Sequence, residues 1–423
     1  MAAETKQIYV YEHWGSDEPR LLGCLFADTI RGTVHFSFEY DTGFLDSLRS
    51  AFILDPELNL YRGRQYSNTK PVFGVFADSS PDRWGRMLLN RREQLLAIKE
   101  GRKPRKLSES EYLLGVYDKT RMGALRFALE PDGPFLSDDK ELAVPPWTTL
   151  RSLEEASREF EKDENALNGK WLERLIRPGS SLGGARPKAT VQNVDGSLWI
   201  AKFPSRHDEN NTGAWEKVVH DLAVECGLNV PEARLEAFSD LGSTFLVKRF
   251  DRNGEKRLHF TSAMTALGKS DGASFADGTS YLDIASFIRA YGAQPQSDLT
   301  ELWKRIVFEM AVSNTDDHLR NHGFLLTSNG WVLSPMYDVN PNPLGDSLSL
   351  GVTQESNLIS IDLAIESAGY YGISHDTARK LAGEICAVVH GRWERLAKAN
   401  SLGRAQIELM RPAFIESAWA NKA

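Results

Sequence analysis

The sequence predicts an α+β protein, with a β-rich N-terminal half and an all-helical C-terminal half. Three observations carry that reading. Val34, Phe36, Phe38 and Tyr40 alternate with His35, Ser37 and Glu39, the period of a half-buried strand. Residues 175–252 read as short strands around one helix. From about residue 280 the pattern is helical to the end, including Asp376–Ala399 and Ala405–Ala418. A length of 423 residues exceeds one compact core, so two or three domains are expected.

Along the chain, Gly32 precedes the alternating run and Asp41-Thr42-Gly43 follows it as a turn. The stretch Asp78–Asn90 switches to helix. There Ser79 or Ser80 can cap, Pro81 suits the first helical position and Asp82 favours the positive helix end. Arg91, Arg92, Lys99, Arg102, Lys103, Arg105 and Lys106 form a basic run, read as a solvated helix end and loop rather than a nucleic-acid contact. Glu130–Trp147 is rich in Pro, Asp and Gly and reads as a connector. A charged helix is expected over Ser152–Asn168, with Ser152 as its cap.

Composition narrows the function. Hydrophobic residues at 41% and charged residues at 26% are ordinary for a globular protein. A net charge of −8 argues against a protein that grips nucleic acid by itself. Cys24, Cys226 and Cys386 are far apart and odd in number, which excludes a CxxC metal site and points to a reducing cytoplasm. No 18-residue apolar run exists and Met1–Tyr9 lacks a signal-peptide core, so a cytosolic protein is expected, with no membrane partner.

The sharpest segment is Ser313-Asn-Thr-Asp-Asp-His-Leu-Arg-Asn321, followed by Ser334-Pro-Met-Tyr-Asp338. Four residues separate Asp316 from Asn321, the D-x-x-x-x-N spacing of a kinase catalytic loop. In that loop the Asp accepts the substrate hydroxyl proton and the Asn holds Mg2+. Gly323–Leu326, a Ser328-Asn-Gly330 turn and Trp331–Leu333 predict a hairpin that returns the chain, so that Asp338 lies near Asn321. One Asp and one Asn are hard oxygen donors suited to Mg2+, which keeps water and phosphate in the rest of its shell. Asp338 stands where kinases carry the DFG aspartate, although Val339 and Asn340 follow it.

A second element is Ser180-Ser-Leu-Gly-Gly-Ala-Arg-Pro-Lys188, whose Gly183 and Gly184 let backbone amides approach phosphate oxygens, with Arg186 and Lys188 adding charge. It is neither a Walker motif nor a GxGxxG loop. Leu198–Phe203 reads as a strand on which Leu198, Ile200 and Lys202 share a face, and a lysine there is costly to bury without an anion. Trp215–Cys226 has helical spacing and Gly227 serves as its stop. Glu216 sits early in that helix, either as the glutamate that orients Lys202 or as a surface residue. Gly242–Phe250 reads as a strand ending in Arg249-Phe-Asp251.

These residues resemble the HipA family, bacterial serine/threonine kinases that serve as toxins in toxin–antitoxin systems. The segments that carry the resemblance are Phe76–Leu89, the Ser180–Val191 loop, Trp199–Pro204, Cys226–Ala233, Val247–Arg252, the Asp316 loop and Ser334–Pro341. The resemblance implies a two-lobed protein-kinase-like fold with an extra N-terminal β-rich subdomain over 1–110. A lobe with the phosphate loop and ATP lysine would follow over 111–252, and a helical lobe with catalytic and metal-binding residues over 253–423.

It further implies ATP and Mg2+, with Asp316 as base, Asn321 and Asp338 as metal ligands and Lys202 on the nucleotide phosphates. Ser181, Leu182, Gly183, Gly184, Ala185, Lys188, Lys248, Phe250, Asp251 and His318 complete the implied nucleotide site. Ser181, or else the adjacent Ser180, matches the family's self-phosphorylated loop serine. Arg186-Pro187 departs from the commonest version of that loop. The implied partners are a small DNA-binding antitoxin of the HipB type, DNA only through it, and a translation-related substrate such as an aminoacyl-tRNA synthetase. Two alternatives stay open: a small-molecule or lipid kinase on the same fold, and a non-catalytic nucleotide-binding co-regulator of the antitoxin.

Overall fold

The computed structural model describes residues 4–31, 33–47, 52–67, 70–136, 144–162, 175, 184 and 186–421. The chain parts into two compact units, Met1–Arg206 with Arg249–Thr261, and His207–Lys248 with Ser262–Ala423.

The first unit opens with an antiparallel sheet of β1 (Glu4–Glu12), β2 (Arg20–Ile30), β3 (Thr33–Tyr40), β4 (Gln65–Tyr66) and β5 (Leu125–Ala128), in the order β4-β3-β2-β1-β5. Phe36, Phe38 and Tyr40 of β3 pack with Ile8, Val10, Leu25, Phe76 and Phe127, as their alternation predicts. Ser37 is buried too, so the opposite face of β3 is covered at that point. Gly23 of β2 is required by crowding, since a Cβ there would lie 2.2 Å from the Glu39 carbonyl oxygen. The expected turn at Asp41 is a short helix, Thr42–Ser47, whose first turn donates the Phe44 N–H to the Asp41 carboxylate.

The predicted helix after Asp78 is Arg83–Lys99, and its cap is Asp82, whose carboxylate accepts the Gly85 N–H at 2.7 Å. Ser79 and Ser80 do not cap it. Their hydroxyls donate back to the Val75 and Phe76 carbonyls of the preceding short helix, and Pro81 lies before the cap. In the basic run Lys99 and Arg92 are exposed as expected, but Arg91 is buried. Arg102 and Arg105 both reach the Glu93 carboxylate, so part of this charge is neutralised locally. The charged helix runs from Leu150 through Lys162, and its expected end at Asn168 lies outside the described residues. Ser152 sits inside its first turn and donates to the Thr149 carbonyl, so it is not the cap.

A buried charge cluster ties Arg249–Arg257 to the Asp118–Gly123 turn. Asp251 accepts from Arg249 at 2.7 and 2.9 Å, from Arg252 at 2.6 Å and from the Gly123 N–H at 2.8 Å. Asp118 pairs with Arg126 and Arg257, while Arg121 donates to the carbonyls of Ser79, Leu113 and Val116. Nearby His259 is buried and stacks on Trp14 with ring centroids 4.4 Å apart.

Burial pushes the His259 imidazole down to about 3. The unfolded chain therefore takes up a proton below about 6.5 while the folded chain does not, so stability falls as pH drops through that window. The expected loss approaches about 1.4 kcal/mol per pH unit below pH 6. Denaturation curves of wild type and His259→Phe at pH 7, 6 and 5 check this. The variant keeps the ring stack and should show a shallower acid decline; parallel declines would assign the acid sensitivity elsewhere.

The second unit begins with the helix Thr212–Glu225, capped by Asn211 and stopped where Gly227 turns left-handed at φ +69°. Trp215, Val218, Val219 and Leu222 are its buried side, as the spacing predicts. Strands Ala233–Ser239 and Gly242–Lys248 form a hairpin against it, and Gly213 allows the approach, since a Cβ there would meet the Ser243 carbonyl oxygen at 2.1 Å. Helices Tyr281–Tyr291, Pro295–Ala311, Ile361–Ser367 and His375–Ala399 build the rest. The helix expected over Ala405–Ala418 breaks into Arg404–Met410 and two tighter turns, because Pro412 lacks the N–H that would continue it. The predicted hairpin is present: Gly323–Thr327 pairs antiparallel with Gly330–Leu333.

Candidate active site

The helix Pro295–Ala311 ends at a left-handed Ser313, at φ +50°, which turns the chain into the Asp316 loop. Thr315 is pinned on both sides: its carbonyl accepts from the Ser349 hydroxyl at 2.8 Å and its hydroxyl accepts from the Asn342 amide at 2.6 Å. Asp316 follows and is exposed, whereas its neighbour Asp317 is buried. Asn321 donates its side-chain amide to the Asp316 carbonyl at 3.2 Å and its backbone N–H to the His318 carbonyl at 2.8 Å. The four residues between Asp316 and Asn321 thus form a closed loop.

The hairpin then returns the chain. The Ser334 N–H donates to the Gly323 carbonyl, and the Tyr337 hydroxyl donates to the Arg320 carbonyl at 2.8 Å. Arg320 and Tyr337 each directly precede Asn321 and Asp338, so this bond sets those two residues on adjoining strands of chain. Asp338 is half-buried and left-handed at φ +63°, a conformation that Asp and Asn tolerate better than most residues. Such an outlier persists only where the surroundings hold it. The structure therefore brings the segments bearing Asp316, Asn321 and Asp338 together within the second unit.

The donor set fits Mg2+. Because Asn321 commits its amide NH2 group to Asp316, its Oδ1 is the atom left for a cation, and Asp338 supplies a carboxylate oxygen. Among the described residues no group of three or more His, Cys, Asp or Glu side chains is arranged to hold a metal. Two protein oxygens suit a Mg2+ that is otherwise bound by phosphate and water.

In the first unit, β6 (Lys188–Gln192) pairs with β7 (Leu198–Lys202), and Lys202 stands half-buried at the end of β7, opposite Lys188. Leu198 and Ile200 are buried, as expected, but Trp199 and Ala201 are buried as well, so β7 is covered on both faces. Gly184 is held at the end of the glycine-rich loop, where its carbonyl accepts from the Trp84 N–H and the Lys188 ammonium. Ser180, Ser181, Leu182, Gly183 and Ala185 lie outside the described residues. In the second unit, Glu216 is buried in its helix, which discards the surface reading. Lys248 is partly exposed and lies 3.7 Å from Glu232, and His318 is half-buried. Phe250, in the first unit, packs on Phe260.

Two residues read as nucleotide contacts have local partners instead. Lys188 is 2% exposed and ion-paired to Asp82 at 3.2 Å. Asp251 is spent on Arg249, Arg252 and Gly123, and the two guanidinium groups outweigh burial to hold its carboxyl down to about 2. Sequence reasoning missed Asp317, Tyr281 and His322. Asp317 accepts from the Tyr281 hydroxyl at 2.6 Å and lies 2.8 Å from His322 Nε2, all three being buried. The signal was the doubled Asp316-Asp317 in a segment flanked by apolar runs, where only one carboxylate has a role in solvent.

The mixed helix-and-sheet architecture, with its closed loop and returning hairpin, matches a known fold. A solved structure of Shewanella oneidensis HipA with HipB and operator DNA superposes over 98% of this chain and 97% of that one, with a TM-score of 0.66 at 17% identity. The chain belongs to the HipA-like C-terminal domain family, whose profile matches residues 180–393, half of its length. The Shewanella oneidensis serine/threonine-protein kinase toxin HipA is 26% identical over 38% of this chain and 43% of its own. A Haemophilus influenzae protein named as a candidate kinase is 31% identical over 39% of this chain and 54% of its own. Y4mE of Sinorhizobium fredii, named likewise, is 29% identical over 38% and 41%. The chain thus spans about half or less of the curated relatives it matches.

Proposed function

We propose that this protein is an ATP- and Mg2+-dependent serine/threonine protein kinase acting as the toxin of a toxin–antitoxin pair. The observation that carries the reading is the closed Asp316–Asn321 loop, cross-linked through Tyr337 to the segment bearing Asp338. Bound Mg2+ would neutralise charge on the transferring phosphoryl group, with Asn321 and Asp338 as its protein ligands. Exposed Asp316 accepts the proton of the acceptor hydroxyl as that oxygen bonds to the γ-phosphorus of ATP and the bond from that phosphorus to the departing ADP oxygen breaks. In this reading Lys202 takes the nucleotide phosphates, Glu216 keeps the role of the helix glutamate, and backbone near Lys248 and Phe250 receives the adenine. Lys188 and Asp251 are left out, since their charges are already met. Ser181, or Ser180, is the proposed self-phosphorylation position.

The partner in this reading is a HipB-like antitoxin, as in the complex of the Shewanella oneidensis relative. The net charge of −8 favours DNA contact through that partner. The substrate is a translation-related protein.

Incubation with Mg2+ and labelled ATP, alone and with cell lysate, followed by phosphosite mapping, tests the activity. Label transfer by wild type and none by Asp316→Ala supports it; a wild type that transfers nothing overturns it. Nucleotide-analogue titration adds a second check. Lys202→Ala should weaken binding by about 10- to 10²-fold, the scale of one lost hydrogen bond to a charged group, whereas exposed Lys99→Ala should not change it. Equal losses would show the phosphate site to be elsewhere.

A further inference from the structure

Beneath the Asp316 loop lies a buried polar cluster to which the proposed reaction gives no part. Both partners of Asp317 meet the same oxygen: Oδ2 accepts from the Tyr281 hydroxyl at 2.6 Å and lies 2.8 Å from His322 Nε2. The Tyr281 and His322 rings meet edge to face at 86°. Each element is anchored independently. Tyr281 is the first residue of its helix, and its N–H donates to the Gly351 carbonyl at 2.9 Å. The His322 carbonyl accepts from the Ala263 N–H at 2.8 Å and opens the hairpin at Gly323.

The placement matters because of the numbering. Asp317 immediately follows Asp316, and His322 immediately follows Asn321. The Asp317–His322 contact therefore spans the same loop as the Asn321–Asp316 bond, one residue further along at each end, and is buried where that bond is only part-buried. A carboxylate buried at this depth is expensive unless both its charge and its hydrogen bonds are met. His322 and Tyr281 meet them, and a group held at such cost fixes its own main chain. Glu309, buried at the end of the preceding helix, has its carboxyl pushed well up by burial and by the charge of Asp317, whereas the Asp317 carboxyl is held down against its own burial by His322 and Tyr281.

We infer that Asp317 is a positioning residue, which through Tyr281 and His322 sets the separation of Asp316 from Asn321. The inference rests on the proposed kinase reading for its catalytic consequence, but the clasp itself is measurable without activity. Loosening the clasp moves a base and a metal-holding amide relative to each other, and a misplacement of about 1 Å costs on the order of 10²-fold in rate. Asp317→Ala removes both contacts. Asp317→Asn keeps an acceptor oxygen at the same place. Tyr281→Phe removes one donor and leaves the ring in the core.

The experiment uses the full chain with two readouts, amide hydrogen exchange over residues 316–322 and steady-state phosphoryl transfer. Expected for Asp317→Ala is exchange at least about tenfold faster in that segment and kcat lower by about 10²-fold, with the KM for ATP nearly unchanged. Asp317→Asn should restore most of both, and Tyr281→Phe should move both in the same direction by less. Because Tyr281→Phe is the milder change, it decides the matter if Asp317→Ala does not fold. Unchanged exchange in both Asp317→Ala and Tyr281→Phe overturns the inference. So does faster exchange spread evenly over the whole chain, which would mark general unfolding rather than a loosened loop. A wild type without phosphoryl transfer overturns the proposed function, while the exchange arm still decides the clasp.

Discussion

Asp316→Ala should lower phosphoryl transfer by about 10²–10⁴-fold, the range a positioned general base supplies, with thermal stability unchanged. The stability half of this follows from the structure: the Asp316 side chain is exposed, and the group that Asn321 uses is the main-chain carbonyl, which survives the substitution. Asp338 needs a different variant. Its backbone is left-handed at φ +63°, where Ala is strained and Asn is not, so Asp338→Ala would mix backbone strain with ligand loss. Asp338→Asn keeps the conformation and removes the carboxylate charge. It should weaken Mg2+-dependent nucleotide binding without altering the melting temperature. Wild-type turnover in Asp316→Ala, measured by labelled-ATP transfer, would remove Asp316 from the reaction. Mass spectrometry of the same two proteins tests Ser181 and Ser180: loop phosphate equal in both would mean that another kinase placed it.

Much of the fold was legible because local signals agreed with tertiary ones. The alternation in β3, the stop of the Thr212–Glu225 helix at Gly227 and the Ser328–Gly330 hairpin turn each combine a period with a stop, and each appears as read, although that helix starts three residues before the expected Trp215. Capping was less legible. Ser79, Ser80, Asp82 and Ser152 all carry cap chemistry, and the choice depends on where the preceding chain ends. The Gly74–Asp78 helix uses the Ser79 and Ser80 hydroxyls, which leaves Asp82 to start the next helix. The break at Pro412 was readable from proline alone and was outweighed by the apolar spacing around it.

At the site, spacing identified the surface-directed groups and could not see the layer beneath. Asp316 and Asn321 follow from a short-range motif. Asp317 depends on Tyr281, 36 residues earlier, a pairing that no local pattern encodes. Sequence likewise placed Lys188 and Asp251 among the nucleotide contacts. Lys188 and Asp251 fit that pattern only until their partners, Asp82 and Arg249, are located.

Asp251 supplies the test of that distinction, and its replacement should have the largest effect on stability. In Asp251→Ala the guanidinium groups of Arg249 and Arg252, 2% and 9% exposed, lose their carboxylate. Removing one partner of a buried ion pair costs about 3–5 kcal/mol, because the remaining charge cannot return to water. Carbonyls of Thr120 and Arg121 still accept from Arg249, which places the expected loss at about 3 kcal/mol, the lower end of that range. The pH dependence gives a second signature. The folded carboxyl lies near 2, below its unfolded value, so its contribution is present above about pH 4 and is lost as pH falls toward 2. Wild type should therefore lose stability relative to Asp251→Ala across that acid window. Urea denaturation of both proteins at pH 7 and in acid, beside nucleotide titration at pH 7, separates the two roles. Equal stability with lost nucleotide affinity would return Asp251 to the nucleotide site and leave the Arg249–Arg252 cluster held by its carbonyls alone.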